Sequence, residues 1–453
     1  MYFQRTIDQY LLEWMNESAR KPLLLRGARQ VGKTSAVKNI AKKFSHFVEI
    51  NFDESDIYKE VFQKGMDIGQ ICEELAIITK KPIVPGKTLL FLDEIQACPE
   101  AIRQLRYFYE KLPNLHVIAA GSLLDFALAD FPSFGVGRVR SLFMYPMSFQ
   151  EFLLALEENL VLDHLSNISE FNPISEVIHA KLLQLYKKFL VVGGMPEAVS
   201  ALAQGKSLLQ VQQILNDLVL SIQADFVKYS ARTPIHRFTE VFQALVQQTG
   251  KKFTYSYDSS TLNHKQIREV IGLFIKAGLI YPVHHSAANG IPLGAEINVK
   301  KVKYLVFDTG IFQRLLGLDL GALLLADDFT VVNKGNIAEL GVGLELLKAD
   351  SLYNQHQLYY WHREAKNSQA EVDFIAQFNE RIIPIEVKSG TKGSMQSLHI
   401  FLEEKHLPFG LRLSLENFGH IEKVKIMPIY AAFLMKNFIH NDFPPSSIHQ
   451  SND

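Results

Sequence analysis

The stretch "PLLLRGARQVGKTS" at residues 22–35 limits what this chain can fold into more than any other. Leu23, Leu24 and Leu25 read as a short buried strand, and Val37, Ile40, Ala41 and Phe44 follow at helical spacing. Between them stands Gly27-x4-Gly32-Lys33-Thr34, the P-loop pattern in a strand-to-helix setting. Glycines there let backbone N–H groups turn toward anionic oxygens, and the helix N-terminus adds its positive end. Gly27, Ala28, Arg29, Gln30, Val31, Gly32, Lys33, Thr34 and Ser35 are therefore expected to wrap a nucleotide's phosphates. Lys33 would reach the β- and γ-phosphates, and the Thr34 hydroxyl would hold Mg²⁺. A glycine turn that merely happens to carry Lys and Thr is the bland alternative. The flanking strand and helix weigh against it.

Further along, "TLLFLDEIQ" (88–96) is a continuous apolar run ending in two carboxylates. A parallel strand buried on both faces reads this way, and its C-terminal end opens into the ligand crevice. Asp93 is expected to hold Mg²⁺ and Glu94 to orient the attacking water. Two acids that simply end a strand and enter solvent are the alternative. "LHVIAAGSLLDF" (115–126) is another buried strand. Ser122 at its end either touches the γ-phosphate or the catalytic water, or caps a helix with Asp125 three residues on. "GVGRVRSLFMYPMSFQEFL" then supplies a strand with Arg138 and Arg140 and a helix start.

Bulk properties narrow the classes. A chain of 453 residues exceeds one hydrophobic core, so two to four domains are expected. The formal net charge of -1 gives the whole chain no electrostatic claim on nucleic acid or an anionic membrane. Cys72 and Cys98 are the only cysteines, which excludes a disulfide framework and fits a reducing cytoplasm. No apolar run reaches the roughly 18 residues of a spanning helix, and "MYFQRTIDQY" lacks the pattern of a secretion signal. The expected location is cytoplasmic, without a membrane partner.

The motifs "GARQVGKTS", "LLFLDEIQ", "AAGS", "GRVRSLFMYPMSFQEF" and "VVGGMPEAV" resemble the prokaryotic AAA-type ATPases that carry a C-terminal domain of uncharacterised function. The resemblance runs along nearly the whole chain. It implies a five-stranded AAA+ core and ATP rather than GTP, with Lys33, Thr34, Asp93 and Glu94 as nucleotide machinery and Ser122 as sensor. Arg138, with Arg140 second, matches the position of an arginine acting in trans, or of a structural ion-pair partner. A trans role would imply a homo-oligomer or a stimulating protein. Pro196, in the Gly193-Gly194-Met195-Pro196 bend, is placed by the resemblance against the adenine. A plain helix-breaking connector would look the same.

Residues 148–228 read as helical. Beyond them Ile267, Val270, Ile271 and Phe274 follow the i, i+3, i+4, i+7 rule, with Asn263 or Thr261 as cap and Gly278 as stop. Two strands around a Gly/Pro turn come next, which suggests a winged helix, as the resemblance also does. His264, Lys265 and Arg268 on its helix, with Lys300, Lys301 and Lys303 on its wing, are candidates for DNA phosphates or plain solvated surface.

The C-terminal third changes to alternating helix and strand. Asp373 and the run "RIIPIEVKSG" give Asp-x12-Glu386-x-Lys388 across two expected neighbouring strands. Asp373 and Glu386, with Glu339 from a preceding helix, could share one hard cation, and Lys388 could steady charge in phosphodiester hydrolysis. An amphipathic strand that alternates charged and apolar residues gives the same pattern. The resemblance points to a restriction-endonuclease-like fold here.

The expected fold class is α/β. It comprises a P-loop AAA+ core (1–147), a helical lid (148–228), a winged-helix-like module (229–325), a restriction-endonuclease-like α/β domain (326–435) and a flexible tail (436–453). The expected function is Mg²⁺-dependent ATP hydrolysis that drives domain rearrangement, with a DNA-directed, nuclease-like C-terminal part. The alternatives are a nucleotide-gated regulatory scaffold and a DNA-binding switch, each with an inert C-terminal domain.

Overall fold

The computed structural model describes residues 2–63, 65–129, 137–229, 234–255, 263–318, 336–364, 368–391 and 393–442. The chain divides into two compact units. The first comprises Met1–Met147, Arg268–Ile280 and Ser351–Gln355, and the second Ser148–Ile267, Tyr281–Asp350 and His356–Asp453. The expected boundary at 325/326 and most of the expected tail lie outside the described residues, as does Thr261.

In the first unit five strands, β1 (Leu23–Arg26), β2 (His46–Asn51), β3 (Thr88–Asp93), β4 (His116–Ala120) and β5 (Arg140–Phe143), form one sheet in the order β2-β3-β4-β1-β5. Every pair is parallel. All residues of β3 and β4 are buried, which explains why both read as unbroken apolar runs. Leu24, Ile50, Leu90, Leu92, Ile102 and Phe108 belong to the core packed against this sheet. Because the strands are parallel, β1, β3 and β4 all end on one edge. Gly27, Asp93 and Gly121 follow or close those three strands, so the topology gathers them there.

The second unit begins with helices Phe149–Ala155, Asn159–Ser166, Glu176–Val192, Pro196–Ala203 and Leu208–Ala224, as the helical pattern implies. The helix His264–Lys276, which belongs to the first unit from Arg268 on, is capped by Asn263, whose Oδ1 accepts from Lys265 N at 3.1 Å and Gln266 N at 3.0 Å.

Eight strands then make one mixed sheet: β6 (Ile280–Ser286), β7 (Ile297–Val306), β8 (Leu358–His362), β9 (Glu371–Phe378), β10 (Arg381–Val387), β11 (Gly410–Ser414), β12 (Gly419–Ile421) and β13 (Val424–Pro428). Their order is β12-β13-β11-β10-β9-β8-β6-β7. The two strands expected as a separate wing are therefore the last two strands of this sheet. β6 pairs in parallel with β8, with Val283 opposite Leu358. The burial pattern agrees: most of β6 and all of Val302–Val306 in β7 are buried.

Candidate functional site

The loop after β1 is shaped by backbone constraints. Gly27 has φ 140°, and a Cβ there would lie 2.1 Å from the Met144 carbonyl oxygen. Gly32, at φ 101°, caps the helix Lys33–Ala41. Ala28 and Val31 are buried, whereas Gln30 and Ser35 face solvent and Arg29 is half-buried. Arg5, which sequence reasoning missed, pins the loop from behind. Its guanidinium donates to Val31 O at 3.0 Å and Tyr145 O at 2.8 Å. Those carbonyls are 26 and 140 residues away in sequence, so no local signal marks Arg5.

Lys33 is buried and its Nζ donates to the carbonyls of Gly27 at 2.9 Å and Ala28 at 2.7 Å. Burial pushes this ammonium down to about 8, against the pull of Glu94 and Asp93. It thus holds a charge that dipoles, rather than an ion pair, compensate. Thr34 Oγ1 donates to Asp93 Oδ2 at 3.0 Å, and Glu94 N donates to Asp93 Oδ1 at 3.0 Å. Burial pushes the Asp93 carboxyl up, and the Thr34 hydrogen bond draws it back. A hydroxyl and a carboxylate held this close supply the hard oxygen donors Mg²⁺ favours, so the residues fit that ion.

Glu94 leaves β3 in a left-handed turn, φ 50° and ψ 41°. Its Oε2 accepts from Gln96 Nε2, another contact the sequence did not announce. Ser122 stands two residues beyond β4. The helix Leu124–Ala129 takes its first turn from the Leu123 carbonyl, which accepts from Phe126 N at 3.1 Å. Ser122 is therefore not the N-cap, and Asp125 pairs with Arg26 instead of closing a capping box.

The two arginines already have partners within the first unit. Arg138 pairs with Glu110, and Arg140 with Glu17, the latter also lying 5.2 Å from the Tyr353 ring centre. Pro196 opens the helix Pro196–Ala203 in the second unit. The glycines before it have a packing explanation. Asp308 Oδ2 accepts from Gly194 N at 2.6 Å, and a Cβ on Gly193 would fall 2.2 Å from Asp308 Oδ1. The bend docks on the segment Asp308–Gly310, where a Gly310 Cβ would meet Val192 O at 2.2 Å.

In the second unit the carboxylate–lysine residues do come together, around a cation that the sequence reading had placed on the surface. Lys303 on β7 is 1% exposed, and its Nζ lies 3.0 Å from Glu339 Oε1 and 2.6 Å from Glu371 Oε1. Burial lowers its pKa, but Glu339, Glu371 and Asp373 outweigh that and hold it above the usual lysine value. Asp373 Oδ2 accepts from Val387 N at 2.8 Å. Glu386 Oε1 accepts from Lys388 Nζ at 2.6 Å, and Glu386 Oε2 is buried with no hydrogen-bond partner among the described residues. Burial raises Glu339, Asp373 and Glu386 above ordinary carboxyl values.

The expectation that Glu339, Asp373 and Glu386 share one ion meets a different arrangement, because resident lysines already neutralise Glu339 and Glu386. Among the described residues no three His, Cys, Asp or Glu side chains are arranged to hold a metal. The expected phosphate-binding set also shrinks, since Lys303 is buried and Lys301 pairs with Glu364. Among the described residues, no helix is long and apolar enough to cross a membrane.

Comparison with known proteins adds the following. Residues 19–153 match the family model of an AAA domain. Residues 183–321 match a domain of unknown function (DUF8612), and residues 334–431 match another (DUF4143). No curated protein matches the chain. Among solved structures, the Walker-type ATPase PABY2304 of Pyrococcus abyssi is 14% identical, covers 70% of this chain and 96% of its own, and superposes with a TM-score of 0.46. The Aeropyrum pernix ORC1 protein in complex with DNA is 12% identical over 72% of this chain and 95% of its own, with a TM-score of 0.25. C. elegans PCH-2 is 17% identical over 44% and 60%, with a TM-score of 0.21. Likenesses this distant say nothing about what this chain binds.

Proposed function

We propose that the AAA domain binds ATP with Mg²⁺ and hydrolyses it. The observation that carries this reading is the meeting of Thr34 Oγ1 and Asp93 Oδ2 at 3.0 Å beside the buried Lys33. Lys33 and Thr34 open the helix after β1 and Asp93 closes β3, two strand ends that a parallel sheet brings to one edge, and a hard cation suits the pair of oxygens. When bound, Mg²⁺ supplies charge neutralisation between the β- and γ-phosphates. The glycine loop's N–H groups hold the phosphates, and Lys33 exchanges its two carbonyl partners for phosphate oxygens. Thr34 and Asp93 hold the ion, and Glu94 orients the water that attacks. Ser122 lies at the end of β4, where a polar side chain can report on the γ-phosphate.

The second unit has no cleaving role in this reading, because Lys303 and Lys388 pair with Glu339 and Glu386, two of its three candidate carboxylates. Calorimetry and steady-state turnover test the whole. Lys33→Ala is expected to lose ATP binding, whereas Glu94→Gln keeps binding and loses turnover by about 10²-fold or more. Wild-type hydrolysis in both variants defeats the assignment. Supercoiled plasmid with Mg²⁺ or Mn²⁺ should stay intact, and nicking that Glu386→Ala abolishes would overturn the non-cleaving reading.

A further inference from the structure

Glu94 must aim a carboxylate at one water, yet nothing about its own position fixes where that carboxylate points. It is a non-glycine residue in a left-handed turn at the exit of β3, followed at once by the short 3₁₀ turn Ile95–Ala97. That turn anchors itself through Ile95, which is fully buried, and through Ala97 N donating to Glu94 O at 3.0 Å. Gln96 sits between these anchors. Its amide Nε2 donates to Glu94 Oε2, and its Oε1 is buried with no hydrogen-bond partner among the described residues.

A buried amide oxygen without a donor is unfavourable, so the side chain occupies this place only because the surroundings hold it there. The holder is a notch in the neighbouring strand end. Gly121 follows β4 directly, and β4 pairs with β3 up to Leu92 opposite Ala119. An ideal Cβ on Gly121 would fall 1.9 Å from Gln96 Oε1 and 3.0 Å from its Cδ. The side chain therefore occupies volume that any residue other than glycine would fill. Gly121 does not need this identity for its own backbone, since it is not among the residues of positive φ. Its missing side chain makes room for Gln96.

We propose, on the footing of the ATPase reading above, that Gln96 is a positioning residue that locks the Glu94 carboxylate and that Gly121 is the notch that seats it. A glutamine is chemically suited to this task. It donates to the carboxylate and fixes its orientation while adding no charge. A lysine or arginine would form an ion pair and weaken the carboxylate as a partner for water, as Lys388 does to Glu386 in the second unit. Orientation is where such a residue acts, because displacement of a reacting group by about 1 Å can cost on the order of 10²-fold in rate.

Steady-state ATP hydrolysis by the full chain tests this, with thermal midpoints and ATP affinity measured alongside. Gln96→Leu keeps the volume and removes the donor. Gly121→Ala keeps Gln96 but fills its seat. Each should lower kcat by about tenfold or more with KM and midpoint close to wild type. Because both changes remove one and the same contact, the double variant should be no slower than the slower single variant. Wild-type kcat in Gln96→Leu, a loss confined to KM, or losses that multiply in the double variant would each overturn the lock. A wild-type chain without turnover, or a Glu94→Gln variant with full turnover, would instead overturn the ATPase reading beneath it.

Discussion

The loop at Lys33 and the cluster at Lys303 both bury a lysine among carboxylates, and they do so in opposite ways. Lys33 is bound by two backbone carbonyls, while Asp93 is bound by a hydroxyl and a backbone N–H. Cation and anion are held apart by neutral dipoles, and each keeps a charge to offer an incoming ligand. Lys303 touches Glu339 and Glu371 directly, and Lys388 touches Glu386. There the lysines close directly on carboxylates. A site that binds an anionic ligand has to leave a cation without a carboxylate in direct contact, and Lys33 meets that condition where Lys303 does not.

Removing each lysine is the sharpest way to break this contrast. Lys303→Met leaves buried carboxylates without their counter-ion, so unfolding free energy in urea should fall by about 3–5 kcal/mol. Lys33→Met removes a buried charge that has no ion-pair partner among the described residues, and its stability should change by no more than about 1 kcal/mol. Its thermal shift on adding Mg²⁺ and ATP should vanish, whereas that of Lys303→Met should persist. Equal stability losses in the two variants would erase the distinction.

Acidity sharpens it further, with a smaller effect. Glu339 and Glu386 have folded pKa values above the 4.5 of a free glutamate, chiefly through burial. Over that window the folded form binds protons the unfolded chain has released, so the cluster's contribution falls as pH rises from about 4.5 through the folded values. Glu386→Gln should flatten this part of a urea stability profile, and an unchanged profile would contradict it. In the first unit His116 on β4 goes the other way. Burial holds it down to about 4, from 6.5, while its Nε2 lies 3.2 Å from Met15 O. The unfolded chain binds the proton first as acid is added, so this contribution is complete above about 6.5 and is lost toward 4. His116→Gln should remove that smaller acid-side slope, and persistence of the slope would reassign it to another group.

Much of the layout was legible because it is written locally. Gly27, Gly32, Lys33 and Thr34 lie within eight consecutive residues, and their spacing reflects the bend of one loop. Asp93 and Glu94 close a strand whose burial is visible in its own composition. The helix His264–Lys276 shows its buried face and its Asn263 cap within one turn-by-turn pattern. Asp373 and Glu386 were legible as neighbours for the same reason, since β9 and β10 join by a short turn and pair antiparallel.

What stayed hidden depends on partners far apart in the chain. Lys303 reads as one more charge on an exposed wing until β7 is seen to border a sheet whose β9 carries Glu371. Gly193 and Gly194 read as a generic bend until Asp308, more than a hundred residues on, is found accepting from the Gly194 N–H. Ser122 fits a capping box on paper, but the helix starts at the next carbonyl and gives Asp125 to Arg26. Sequence by itself determined the loop, the acidic strand end and the alternation of helices and strands, because those follow from neighbouring residues. Tertiary structure alone decided which lysine is buried, which carboxylates are already answered, and that Gln96 reaches Glu94 over the bare backbone of Gly121. Burial and pairing are set by what the fold brings close, and spacing along the chain cannot express them.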